Sequence, residues 1–442
     1  MLFILRITSF ACFLLSIGFF AITFLIRDPL LLKVRSVSLW IVFSATFLFT
    51  LFFSSLVKKN RDRFVRILLF LSLLFVWTGA ANSAYKELIF QTRKKAVLNS
   101  DPKLLKKFAE HILLGYRNDE ELENYLKIPF AGFFLTSHNL SGMNVETLKG
   151  KIEKIQKVRK DFGFPIALIS SDQEGGIVSR LSPPLKRPAS LLELYKMFQI
   201  DSDSKTKMRR AIFEKAKDLR DVGINFNFSP VADLKEQNSN PLDFFSQIQT
   251  RAISNDPQVV SELVRMYCEV MIENRILPTL KHFPGIGTVT EDTHFFNGNV
   301  RRTTAELKNK DLVPFIDSMK EQKIIAVMLS HSFWKELDSQ NPVSLSKAVI
   351  TDFLRKEGSE SAILITDDLN MFPIYYRSGG IVQASADSLK AGSDLLLISY
   401  DGEQVYEVLY ELIRSRSDHS IDKNLEQSNL RLKALQRFFG SK

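Results

Sequence analysis

The 442-residue sequence predicts a (β/α)8 TIM-type barrel preceded by an N-terminal transmembrane α-helical region. Three observations predict it. Short apolar runs alternate with helix-periodic segments from about Ser100 onward, the pattern of parallel βαβ units. Charged and polar residues fall where those runs end, which is where a barrel collects its chemistry. Three long apolar stretches occupy the first 85 residues. The expected organisation is a membrane region over 1–85, a juxtamembrane linker over 86–100 and the barrel over 101–442. No G-x-G-x-x-G or Walker loop appears, which speaks against an open, doubly wound nucleotide-binding sheet.

The stretches 7–26, 36–57 and 67–84 are the expected membrane helices. Arg6 before the first would suit a secretory signal. That stretch is long for one, no small-x-small site follows it, and two more apolar stretches come after. The chain is therefore expected to be a multi-pass protein of the inner (cytoplasmic) membrane. Lys58, Lys59, Arg61, Arg63 and Arg66 crowd the second connection and argue that it is cytoplasmic, which puts the following domain outside. Arg27, Lys33 and Arg35 in the first connection, with Lys86, Arg93, Lys94 and Lys95 after the third stretch, weigh the other way. The formal charge of +10 forms no nucleic-acid arm, and the basic residues flank apolar segments, so the expected partner is a membrane and not a nucleic acid. Cys12 and Cys268 cannot build a disulfide framework.

The elements follow in order. Residues 130–137 suit a buried strand. Asn144 caps a helix whose Val145, Leu148, Ile152, Ile155 and Val158 recur at three and four residues before Gly163. A strand over 166–170 ends at Ser171-Asp172. A helix over 208–222 precedes a strand over 224–230, and a helix over 257–274 leads to a strand over 276–280. Beyond these come a strand over 324–329 ending at Ser330-His331, a helix over 346–355, and a strand over 362–365 ending at Thr366-Asp367-Asp368. A helix over 383–391, a strand over 395–398 and a helix over 403–414 complete the pattern.

The densest chemistry lies at 280–294, L-K-H-F-P-G-I-G-T-V-T-E-D-T-H. Lys281 and His282 close a strand, two glycines and a proline turn the chain sharply, and Asp292-x-His294 pairs a carboxylate with an imidazole. Each feature has a plain alternative: an Asp after a strand is usually a helix cap, Gly175-Gly176 serves as a turn, and Asp-x-His occurs in exposed turns. Their shared position at strand ends singles them out. The six histidines show no H-E-x-x-H spacing, so no metal and no cofactor is expected.

Three ordered motifs carry a family resemblance: D-Q-E-G-G-x-V-x-R-L at 172–181, K-H-F-P-G-x-G with D-x-H at 281–294, and T-D-D-L-x-M at 366–371. They resemble glycoside hydrolase family 3, in particular the β-N-acetylhexosaminidase branch that includes the NagZ-type cell-wall recycling enzymes. Lesser stretches at 227–234, 249–257 and 327–351 agree. The resemblance spans about 100–400 and leaves the three apolar stretches outside.

The resemblance implies a retaining glycosidase that releases terminal β-linked N-acetylglucosamine, with peptidoglycan-derived glycans as the expected substrates. It implies Asp367 as nucleophile and His294, paired with Asp292, as acid/base. It further implies Asp172, Arg180, Arg251, Lys281 and His282 as sugar contacts. Asp368 is expected to support the site or cap the next helix, and Glu174 and His282 are the contacts best suited to a bracing role. Ile177 and Ile286 depart from the family's usual Arg and His. Two alternatives stay open: β-glucosidase-type specificity, and a membrane-anchored glycan sensor without turnover.

Overall fold

The computed structural model describes residues 2–198, 203–236, 243–415 and 419–440, so the expected domain limits Met1 and Lys442 lie outside the described residues. The chain divides into two compact units, Met1–Asn99 and Ser100–Lys442.

The first unit holds three long helices, Leu2–Thr23, Arg35–Lys59 and Arg63–Leu98, each long and apolar enough to cross a membrane. Asp62 starts the third by accepting the Val65 amide at 3.0 Å. Residues 86–98, expected to be linker, continue this helix without a break. The apolar run stops near Ala84, but the Lys, Glu, Leu, Gln and Ala that follow are strong helix formers, so the helix outlasts its hydrophobicity. Phe53, Val65, Leu69 and Val76 form a small interior cluster. Much of the remaining apolar surface faces outward, as Trp40 does at 76% exposure.

In the second unit eight parallel strands close into a barrel in chain order. They are Ile112–Gly115, Gly132–Phe134, Leu168–Ser171, Phe226–Asn227, Leu277–Phe283, Ala326–Leu329, Ile363–Asp368 and Leu395–Ile398. The first pairs with the eighth, Ile112 opposite Leu396, so no edge remains open. Helices alternate with the strands, among them Val145–Asp161, Ser204–Asp221, Pro257–Glu273 and Gly380–Ala391. The first strand is the one the apolar runs do not reveal: four residues follow directly on the helix Pro102–Ala109, too few to display a period. The helix expected over 346–355 contains a π-helical stretch, Ile350–Leu354.

Inward-facing Leu113, Phe134, Phe226, Met328, Ile365 and Leu397 fill the barrel. Leu435 and Phe438, from the last helix His419–Gly440, join the same cluster. That helix lies at the N-terminal end of the strands, where Gln436 reaches the Ile166 carbonyl and Arg275 reaches the Phe438 carbonyl. Asp394 fastens it: the buried carboxylate takes Arg431 at 2.8 Å and Arg355 at 2.6 Å. With the N-terminal mouth covered in this way, the polar groups gather at the other rim.

Candidate active site

Two neighbouring aspartates end the seventh strand, and side chains alternate along a strand, so the two diverge. Asp368 turns to the chain after the eighth strand, accepting the Ser399 hydroxyl at 2.6 Å and the Ser399 amide at 3.0 Å. Burial pushes its carboxyl above the ordinary range, and these bonds only partly offset that. Asp367 is half-buried and accepts the Asp368 amide at 2.8 Å. Burial alone would raise its pKa, but the nearby imidazoles of His282, His331 and His294 outweigh it and hold the carboxyl below its usual value. A carboxylate kept ionised among histidines is a ready nucleophile.

The three imidazoles are held differently. His331 is buried; its Nε2 donates to the Asp368 carbonyl at 3.0 Å and its Nδ1 meets the Ser344 hydroxyl at 2.8 Å. Burial lowers its pKa, and the neighbouring Asp367 carboxylate pulls the other way. His282 Nδ1 lies 2.8 Å from Asp233 Oδ2, and Asp233 also accepts the amides of His282 and Ile286. His294 Nδ1 lies 3.0 Å from Asp292 Oδ1, and the second oxygen of Asp292 accepts the Phe245 amide at 3.1 Å. His294 Nε2 has no partner among the described residues, and the side chain is partly exposed at the rim.

The loop bearing Asp292 and His294 is seated at two points. The His294 carbonyl accepts the Phe372 amide just beyond the seventh strand. Ile286 joins Val231, Ile248 and Val289 in a small apolar cluster, so where the family's usual form has a histidine this chain has an apolar anchor. Ile177, the other departure, is exposed.

A second ionic group lies beside the first. Lys281 is buried and its ammonium meets Asp172 at 2.7 Å and Glu174 at 2.5 Å. Glu174 takes a bidentate fork from Arg251, at 2.6 and 3.0 Å. Burial would raise the Glu174 carboxyl, but Arg251 and Lys281 prevail and bring it down to about 2. A short antiparallel hairpin, Gln173–Gly175 with Val178–Ser179, carries Glu174 inward. Gly175 has φ +98, and a Cβ there would lie 2.4 Å from the Ala189 carbonyl oxygen, so the turn requires glycine.

The residues selected from sequence thus converge on one rim, with different surroundings. Asp172, Lys281, His282, Asp292, His294 and Asp367 are held by neighbours on that rim. Arg251 is half-buried, with three donors committed to Glu174 and the Ser246 carbonyl. Arg180 is exposed, and among the described residues only its amide is engaged, by the Asp172 carbonyl. Asp233 was not selected, although it follows a strand-like run as Asp172 and Asp367 do, and that position was its signal.

A closed parallel barrel with an ionised carboxylate among histidines on its C-terminal rim defines an α/β-barrel enzyme. Residues 103–433 match the glycosyl hydrolase family 3 N terminal domain. The chain belongs to glycosyl hydrolase family 3 and is a glycosidase. A β-hexosaminidase of Xanthomonas euvesicatoria is 32% identical over 251 residues, covering 57% of this chain and 72% of the relative. Two solved structures share the fold. One is a glycoside hydrolase family 3 β-N-acetylglucosaminidase from Paenibacillus, at TM-score 0.67 and 24% identity; the match covers 76% of this chain and 63% of that one. The other is NagZ from Neisseria gonorrhoeae, at TM-score 0.60 and 24% identity, covering 75% and 96%.

Proposed function

We propose that this chain is a membrane-anchored, retaining β-N-acetylhexosaminidase acting on N-acetylglucosamine-containing glycans, peptidoglycan-derived fragments among them. The observation that carries the reading is Asp367, kept ionised at a strand end beside a His–Asp pair whose outer nitrogen is unengaged among the described residues. The names of the β-hexosaminidase relative and the Paenibacillus enzyme support the sugar.

In the first step an Asp367 oxygen bonds to the anomeric carbon as the bond from that carbon to the leaving oxygen breaks. His294 Nε2 gives its proton to that oxygen. Asp292 orients the ring and stabilises the imidazolium. In the second step neutral His294 takes a proton from water, the water oxygen bonds to the same carbon, and Asp367 departs as carboxylate. Asp172 and Lys281 hold sugar hydroxyls, Arg180 closes over the sugar from the rim, and His282 lines the pocket, set by Asp233. Arg251 acts through Glu174, bracing Lys281. The three apolar helices anchor the enzyme, and the basic second connection supports an extracytoplasmic barrel. A C-terminal reporter active only in the cytoplasm would overturn that orientation.

The test is hydrolysis of 4-nitrophenyl N-acetyl-β-D-glucosaminide by the detergent-solubilised full chain. Asp367→Asn should lower kcat/KM by roughly a thousandfold or more without changing the melting temperature. His294→Ala should lose more on the methyl glycoside than on the nitrophenyl one, whose leaving group needs less protonation. No turnover by the parent, or an undiminished Asp367→Asn variant, would overturn the reading; faster turnover of the matched glucoside would reassign the sugar.

A further inference from the structure

A run of phenylalanine rings begins beside His294. Phe245 lies 5.9 Å from the imidazole, ring centre to ring centre, and 5.2 Å from Phe295. Phe295 continues to Phe296 at 6.5 Å and to Phe372 at 5.1 Å. The loops bearing these rings are tied together by Asp292, which accepts the Phe245 amide. Exposure is 61% at Phe245, 40% at Phe295 and 63% at Phe296. Single exposed phenylalanines are ordinary; three in contact across two loops at the mouth of a polar site make an apolar patch of the kind that binds.

Its position says what it meets. A general acid donates to the oxygen of the bond being broken, so the leaving group lies on the acid's side of the sugar. The ring packed on His294 and those that continue from it therefore line the path of the aglycone. The rings are phenyl groups with no hydroxyl or indole N–H to bond a sugar's hydroxyls, so they offer dispersion and apolar burial alone. The same chain carries three helices long and apolar enough to cross a bilayer, where lipid-linked sugars reside.

We infer that the leaving-group side of this site takes a hydrophobic aglycone, so that the substrate class is β-N-acetylglucosaminides borne on an apolar chain, such as a lipid-linked glycan. The inference rests on the hexosaminidase reading above and deepens it.

The experiment uses the full chain in phosphatidylcholine nanodiscs with three substrates below their aggregation limits: methyl and hexyl N-acetyl-β-D-glucosaminide, and methyl β-chitobioside, whose leaving group is a sugar. The parent should favour hexyl over methyl in kcat/KM by about tenfold, the gain from burying roughly two of the extra methylenes. The double variant Phe295→Ser/Phe296→Ser, on the loop that carries His294, should bring that ratio below about two, while Phe295→Leu/Phe296→Leu should retain most of it. The chitobioside rate should fall less than the hexyl rate in both. A parent indifferent to the hexyl chain, a preference that survives the serine pair, or a loss confined to the chitobioside would each overturn the inference. Turnover of the methyl glycoside without a hexyl preference refutes this inference alone; no turnover of any of the three refutes the hexosaminidase reading with it.

Discussion

Glu174→Gln tests whether the ionic group beside the nucleophile holds the rim together. Glutamine keeps the shape of the side chain and removes its charge, leaving two cations with less to face. Lys281 retains Asp172 at 2.7 Å and Arg251 retains the Ser246 carbonyl, so the loss is partial. A carboxyl brought from its ordinary 4.5 to about 2 corresponds to about 3 kcal/mol of stability, within the range for breaking a buried ion pair. For a domain of this size that predicts a melting temperature lower by about 4 °C. The pH dependence follows from the sign. The folded pKa is depressed, so the contribution is complete well above 4.5 and fades as pH falls towards 2. The gap between parent and variant should therefore be widest at pH 7 and shrink to less than about half by pH 3. Thermal unfolding of the full chain in detergent across that range measures it. A variant within about 1 °C of the parent at pH 7, or a gap that widens on acidification, would refute the reasoning.

Two further substitutions separate stability from chemistry. Asp394→Asn leaves Arg355 and Arg431 partly unpaired beneath the barrel and should cost about 3–5 kcal/mol; thermal unfolding reads the loss, and KM for the nitrophenyl substrate should hold. Asp233→Asn weakens the hold on His282 Nδ1 and on the Ile286 amide and should lower kcat/KM by roughly 10–100-fold, a range borrowed from outer-shell partners of metal-bound histidines. An unchanged rate in a folded Asp233→Asn variant would separate His282 from the reaction.

The strand ends could be found without coordinates because a strand buried on both faces writes itself as an apolar run, and the first polar residue after it marks the rim. Asp172, Lys281, His331 and Asp367 are all visible in that way. The first strand, Ile112–Gly115, escapes because four residues behind a helix show no period, and the third long helix outruns its apolar segment because helix formation does not need hydrophobicity. Asp292 and His294 are legible because their contact is local.

What the linear order conceals is the partnering of charges across long separations. Glu174 and Arg251 are 77 residues apart, and Asp233 and His282 are 49 apart. Local periodicity reports which face a residue takes, and it carries no information about which distant carboxylate will lie beside it. Barrel closure made those choices: it engaged Arg251 with Glu174, matched His282 to Asp233, and left Asp367 ionised among imidazoles. It also gathered Phe245, Phe295 and Phe296, which lie on two separate segments, into one patch beside His294. The sequence by itself determined the barrel and the apolar helices, which are written in local hydrophobic pattern, and it marked the candidate residues through their strand-end positions and the family resemblance of their motifs. The tertiary structure alone decided which charges are paired and which side chains remain open, because that depends on contacts between segments far apart in the chain.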